Sequence, residues 1–109
     1  MFASRRLLQA CRITFFTREN CGLCAEAGAT LSNVANNRPF VYVKVDLARP
    51  ESRLWRELYD FDIPVIHISR ASAEPEEVAT ASKAVKLMHR FTSAQIEAKM
   101  DQVEAAKDQ

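Results

Sequence analysis

The hydrophobic period of this chain changes at a pair of cysteines. Arg12 to Thr17, Arg-Ile-Thr-Phe-Phe-Thr, is β-branched and aromatic and reads as a strand. From Cys24 onward, Cys24, Ala27, Leu31 and Val34 recur at the three- and four-residue steps of one helix face. Cys21 and Cys24 stand at the junction, in Cys21-Gly22-Leu23-Cys24. A strand that runs through a short turn into a helix, and then into another strand, favours parallel pairing with a right-handed crossover.

The rest of the chain continues the alternation. Asn36 and Asn37 end the helix and Pro39 blocks its continuation. Phe40 to Asp46 reads as a second strand, and its apolar first half predicts cover on both faces. Pro50 and Glu51 open a second helix, with proline in the first turn and an acid at the positive dipole end. Leu54, Trp55, Leu58 and Tyr59 are expected to share one face of it, with Trp55 and Tyr59 packed in the core. Asp60-Phe61-Asp62 is a turn, and Ile63 to Ile68 is a third strand entered through Pro64. Ala71 to Ala84 reads as an exposed loop with room for a helical turn, and Val85 to His89 as a fourth strand. The last two strands suit an antiparallel hairpin despite their long connection. Thr92 and Gln95 have the spacing of a capping box, Phe91 and Ile96 that of a hydrophobic staple. Ile96, Met100 and Val103 form the buried stripe of the final helix.

The element order is β-α-β-α-β-β-α, an α/β domain with a mixed four-stranded sheet and flanking helices, over residues 12–106. A chain of 109 residues with 48% hydrophobic and 27% charged residues suits one such domain, with a core that needs no staples. Residues 1–11 read as a leader. The first twelve residues carry arginines, a serine and no acid, a composition that fits a mitochondrial targeting segment as well as a short extension before the first strand. The expected location is mitochondrial or cytoplasmic. The net charge of +1 gives no pull toward nucleic acid, and no apolar run approaches the roughly 20 residues of a membrane span.

The chemistry concentrates at Cys21 and Cys24. Three cysteines, one close pair and one spare, are too few and too uneven for a secreted disulfide scaffold. The start of a helix leaves N–H groups unpaired and carries partial positive charge, so a thiolate is stabilised there. Cys21, just ahead of the helix, is the expected attacking sulfur. Cys24, in the first turn and more buried, is expected to resolve the mixed disulfide. Arg18 lies three residues before Cys21, where its charge either stabilises the thiolate or holds an acidic group of a substrate, unless it is a solvated loop residue. A proline opening an interior strand is unusual because it removes a ladder donor. A cis Ile63–Pro64 bond would leave the backbone of Ile63 free for an extended substrate; the residues alone leave cis and trans open.

The run Thr17-Arg18-Glu19-Asn20-Cys21-Gly22-Leu23-Cys24 resembles the Thr-Lys-x-x-Cys-x-x-Cys start of glutaredoxins, and Ile63-Pro64-Val65 falls where that family has its cis-proline. His89-Arg90-Phe91 before the final helix is similar to the eukaryotic glutaredoxin-like proteins. The resemblance covers nearly the whole chain and implies a thioredoxin-like fold. It implies Cys21 as nucleophile, Cys24 as resolving cysteine and Pro64 as the cis-proline, with Arg18 and the backbone of Ile63 in a glutathione cradle. It further implies protein or low-molecular-weight disulfides as substrates, and glutathione or a thioredoxin-type reductase as reductant. No tightly bound cofactor, no bound metal and a monomer are expected. Two features depart from the pattern. Gly22-Leu23 replaces the usual Pro-Tyr, and His89, Arg90 and Phe91 stand where glutaredoxins have a Gly-Gly turn whose backbone approaches glutathione.

Two other readings stay open at this level. Two thiolates are half of a tetrahedral zinc site, which Cys11, His67 or His89 would have to complete; an iron–sulfur cluster bridging two chains is a related option. A thioredoxin-like domain can also serve as a binding module without catalysis. Cys11 reads as a buried small hydrophobe or a leader residue, and His67 and His89 as structural residues.

Overall fold

A computed structural model describes residues 9–106. Most of the leader, residues 1–8, and the chain end, residues 107–109, lie outside the described residues. β1 (Cys11–Thr17) leads through a short loop to α1 (Gly22–Asn37), followed by β2 (Val41–Asp46). A single 3-10 turn (Pro50–Ser52) precedes α2 (Arg53–Tyr59). β3 (Val65–Arg70), a 3-10 segment (Val78–Lys83), β4 (Val85–Met88) and α3 (Ser93–Ala105) complete the domain. The sheet order is β2-β1-β3-β4. β1 pairs parallel with β2 and antiparallel with β3, and β3 pairs antiparallel with β4. This is the expected mixed four-stranded sheet with flanking helices. Among the described residues no helix is long and apolar enough to cross a membrane.

Alternation along the central strands divides the core into two. Cys11, Ile13 and Phe15 of β1, with Ile66 and Ile68 of β3, join Leu31 and Val34 of α1 and Ile96, Met100 and Val103 of α3. On the opposite face Phe16 and Val65 pack with Leu47, Trp55 and Tyr59. Cys11 is 1% exposed and part of β1, so the strand begins one residue earlier than its β-branched run suggested. Its thiol lies 3.5 Å from Glu104 Oε2. Burial first, and then this carboxylate, push the Cys11 thiol up to about 12.

Two packing expectations are corrected. β2 is an edge strand, not a strand covered on both faces: Tyr42, Val43 and Lys44 are exposed. Its neighbour on one side is β1, and among the described residues no strand follows on the other. α2 packs half-buried Trp55 and buried Tyr59, four residues apart, against Phe16, whereas Leu54 and Leu58 sit one step around the helix and face out. A seven-residue helix laid on a sheet has cover for only one stripe. β3 starts at Val65, after Pro64, and β4 stops at Met88, short of His89.

The connection from 71 to 84 is anchored from below. Arg12 donates to the carbonyls of Ala73 (3.0 Å) and Glu74 (2.7 Å) and to Glu76 Oε2 (3.0 Å). Glu76 Oε1 is 2.7 Å from Nδ1 of buried His67, whose Nε2 is 2.6 Å from the Tyr59 hydroxyl. A neutral His67 with its proton on Nδ1 satisfies both bonds, donating to Glu76 and accepting from Tyr59. His67 is thus a satisfied structural residue. The bond from His67, together with Arg12, holds the Glu76 carboxyl below the usual glutamate value.

α3 begins as its sequence signals. The Thr92 side chain accepts from Gln95 N–H (3.1 Å) and the Gln95 side chain accepts from Thr92 N–H (2.9 Å). Phe91 and Ile96 are both buried in the same cluster.

Candidate active site

The loop between β1 and α1 is set by backbone geometry. Leu47 N–H bonds the Thr17 carbonyl at 2.9 Å, tying the end of β1 to the segment after β2. Asn20 adopts a left-handed conformation (φ 60°), which asparagine tolerates better than most residues and which turns the chain into the helix. Cys21 is the N-cap of α1, and its sulfur accepts from the Cys24 N–H at 3.2 Å. This satisfies one of the unpaired donors of the first turn. No acidic residue lies in that turn to oppose a thiolate.

Cys21 and Cys24 are joined as a disulfide with Cα atoms 5.2 Å apart, inside the range such bonds take. Cys21 is half-buried and Cys24 is 4% exposed, packed in the main core. The two sulfurs therefore differ in access as the sequence anticipates. They open onto a groove of ≈ 400 Å³, which Arg18, Glu19, Tyr42 and Lys44 also line.

The Ile63–Pro64 bond is cis. Pro64 is fully buried and Ile63 packs between the two core clusters. Ile63 stands outside the ladder, whose first β3–β4 rung joins Val65 to Met88. Arg18 is not a lone cation beside the thiols. Its Nη2 lies 2.5 Å from Asp60 Oδ1, which links the loop before Cys21 to the turn before Ile63. Local spacing carries no signal for this pair, because Asp60 reads only as a turn residue forty-two positions away.

At the position of the missing Gly-Gly turn the backbone keeps a conformation glycine would favour. His89 has φ 67°, and its N–H bonds the Pro64 carbonyl at 2.8 Å. The side chains of Leu23, His89 and Arg90 border a recess of only ≈ 80 Å³ there, below the roughly 300 Å³ at which small-molecule sites begin. His67 lies on the opposite face of the sheet, in the cluster of Phe16 and Tyr59. Among the described residues no group of three or more His, Cys, Asp or Glu could hold a metal ion, so neither Cys11 nor a histidine completes a zinc set with the cysteine pair.

The model of the glutaredoxin-like domain family (DUF836) matches residues 12–101. The chain belongs to the glutaredoxin-like family. Solved structures similar to this glutaredoxin-like domain include thioredoxins. Thioredoxin-2 of the malaria parasite has a TM-score of 0.62 at 17% identity, with 85% of this chain and 82% of that one covered. Chloroplastic thioredoxin z has a TM-score of 0.61 at 24% identity, with 90% and 81% covered. Oxidised thioredoxin O2 of Arabidopsis thaliana has a TM-score of 0.60 at 14% identity, with 87% and 76% covered. At these identities the likeness concerns the fold: the glutaredoxin-like domain is thioredoxin-like in architecture. The fold and a cysteine pair at disulfide distance point to a redox function.

Proposed function

We propose that the protein is a thiol–disulfide oxidoreductase in which Cys21 attacks and Cys24 resolves. The observation that carries this reading is the placing of the pair: a half-exposed sulfur at the N-cap of α1 and a buried one a single turn later. The helix end favours the Cys21 thiolate. That thiolate attacks one sulfur of a substrate disulfide, forming a mixed disulfide and releasing the other substrate sulfur as a thiolate. Cys24, having lost its proton, then attacks the Cys21 sulfur, and the second substrate thiolate leaves. Two electrons pass to the substrate, the two thiol protons end on its sulfurs, and the Cys21–Cys24 disulfide remains. Two glutathione molecules, or a thioredoxin-type reductase, return the pair to the dithiol.

Arg18 and the backbone of Ile63 are the proposed substrate contacts. The Asp60 pair gives Arg18 a fixed position for that task.

The test is reduction of 2-hydroxyethyl disulfide by the wild-type protein and by the Cys21→Ser and Cys24→Ser variants. Cys21→Ser is expected to abolish turnover, and Cys24→Ser to accumulate a mixed disulfide on Cys21, visible by intact mass. Full activity in Cys21→Ser would overturn the reading. A cysteine pair inert throughout glutathione buffers spanning roughly −200 to −270 mV would favour a binding module instead.

A further inference from the structure

The groove at the dithiol does not end beside the two cysteines. Gly28, Ser32 and Tyr42, which line it, also line a second cavity of ≈ 250 Å³ bounded by Leu31, Ala35 and Phe40. Together they form one trough between α1 and the edge strand β2. Buried Phe15 and Leu31 lie at its floor. Tyr42 stands on its outer wall, half exposed, with its ring 6.4 Å from that of Phe40. No charged side chain lines the far half. At the dithiol end Arg18 is neutralised by Asp60, and the other charges lining the groove, Lys44 and Glu19, are opposite in sign. The trough therefore selects by shape and apolar contact rather than by net charge.

Both walls bear on what the trough takes. Gly28, shared by its two halves, sits in the middle of α1, where glycine costs stability relative to alanine. Its φ is not positive, and a Cβ there would meet only the Phe15 ring, at 3.9 Å. The backbone does not require this glycine; its effect is to leave the trough open. The opposite wall, β2, has no strand on its outer side among the described residues. An extended polypeptide can pair with such an edge while its side chains enter the trough, which an acyl chain cannot do. Because β1 and β2 are parallel, with Thr17 beside Asp46, this edge runs toward the dithiol loop.

We infer that the trough is a docking groove for an extended segment of a disulfide-bearing protein, which seats an apolar side chain between Gly28 and Tyr42. This rests on the thiol–disulfide reading above and names the substrate class of that site. Gly28 and Ser32 lie seven and eleven residues beyond Cys21. At the rise of a helix this is roughly 10–16 Å, which an extended segment covers in about three to five residues. The seated side chain therefore belongs to a residue about four positions from the substrate cysteine. The electron balance is that of the cycle already given: two electrons from the dithiol, two protons to the substrate's sulfurs.

The experiment is a single turnover of the pre-reduced full chain, freed of reductant, against three peptides whose one cysteine is disulfide-linked to 2-mercaptoethanol. The first carries phenylalanine four residues to either side of the cysteine, and the second serine at those positions. The third has phenylalanine directly beside the cysteine and serine at the distant positions. Each rate is divided by the same protein's rate with 2-hydroxyethyl disulfide. The wild-type protein is expected to reduce the first peptide about tenfold faster than the second, and the third no faster than the second. Gly28→Leu, which fills the trough, and Tyr42→Ser, which removes its outer wall, are each expected to erase that preference. Tyr42→Ser changes an exposed side chain and decides the matter alone if Gly28→Leu does not fold. Equal rates on the first two peptides, an equal gain from the adjacent phenylalanine, or a preference that survives Tyr42→Ser would overturn the docking groove and leave the redox reading intact. A concentration-dependent dimer abolished by Tyr42→Ser would overturn it in favour of a second copy as occupant. Failure to reduce any peptide or 2-hydroxyethyl disulfide removes the redox reading and the docking groove with it.

Discussion

Arg18 and Asp60 hold together the two loops that frame the cysteine pair, Nη2 to Oδ1 at 2.5 Å. Arg18 belongs to the stretch before Cys21, Asp60 to the turn before Ile63. Each side chain keeps about a third of its surface exposed, so the pair adds at most about 1 kcal/mol to stability. Its larger effect is on the field at Cys21. Asp60→Asn leaves the guanidinium uncompensated in the groove that Cys21 shares. The pH midpoint of Cys21 alkylation by iodoacetamide is expected to fall in Asp60→Asn and to rise in Arg18→Gln, measured on the reduced protein.

Gly22 stands at the first helical position of α1 with nothing within 4 Å of a side chain placed there. Cys21 before it has φ −118° and ψ 108°, near the conformation that a following proline demands. Proline at this position loses no intrahelical bond. Gly22→Pro is expected to stabilise the protein by about 0.4–1 kcal/mol, through the entropy of the unfolded chain. Urea denaturation of the oxidised form measures it; a loss of stability would contradict the open position.

The bridge Tyr59–His67–Glu76 ties the 71–84 connection to the second core cluster. Glu76→Ala removes the acceptor of a buried imidazole and of Arg12, an expected cost of about 1–3 kcal/mol. Tyr59→Phe is expected to cost about 1 kcal/mol. The pH dependence follows from the depressed Glu76 carboxyl. Its contribution is complete above the ordinary glutamate value of 4.5 and is lost as pH falls through the lower folded value. Denaturation curves collected from pH 7 downward are expected to show that acid-linked loss in the wild-type protein and to lack its Glu76 component in Glu76→Gln.

Cys11 is a thiol of the opposite kind to Cys21. Burial and Glu104 keep it protonated up to about 12. Brief iodoacetamide treatment of the reduced, native protein at pH 8 is expected to modify Cys21 and spare Cys11, with Cys11 reacting only in denaturant. Peptide mass mapping distinguishes the two, and rapid native labelling of Cys11 would contradict its packing.

The legible parts of this chain were those written in local spacing. Thr92 and Gln95 define the start of α3 within four residues, and Cys21 to Cys24 define the start of α1 in the same way. The order of strands across the sheet is not local. Val41, Tyr42 and Val43 have the apolar character of an interior strand, yet the crossover sets them at an edge. Leu54 and Leu58 match the helical period as well as Trp55 and Tyr59 do; only the ring of Phe16 beneath the helix decides which stripe goes inward. At the candidate site the cysteines and Pro64 were visible because their residue types are informative. Asp60 and the left-handed His89 were not, since each takes its role from a partner brought near by the fold.

The central position of β1 has a kinetic consequence. The strand that ends in the dithiol loop has its antiparallel partner in Val65–Arg70, roughly fifty to sixty residues away along the chain. Closing that span is an entropic step that no local contact can replace. During synthesis Cys21 and Cys24 are both present well before the sheet that positions them is complete. They can meet as neighbours on a flexible chain earlier than they differ in exposure, and that difference awaits the arrival of β3.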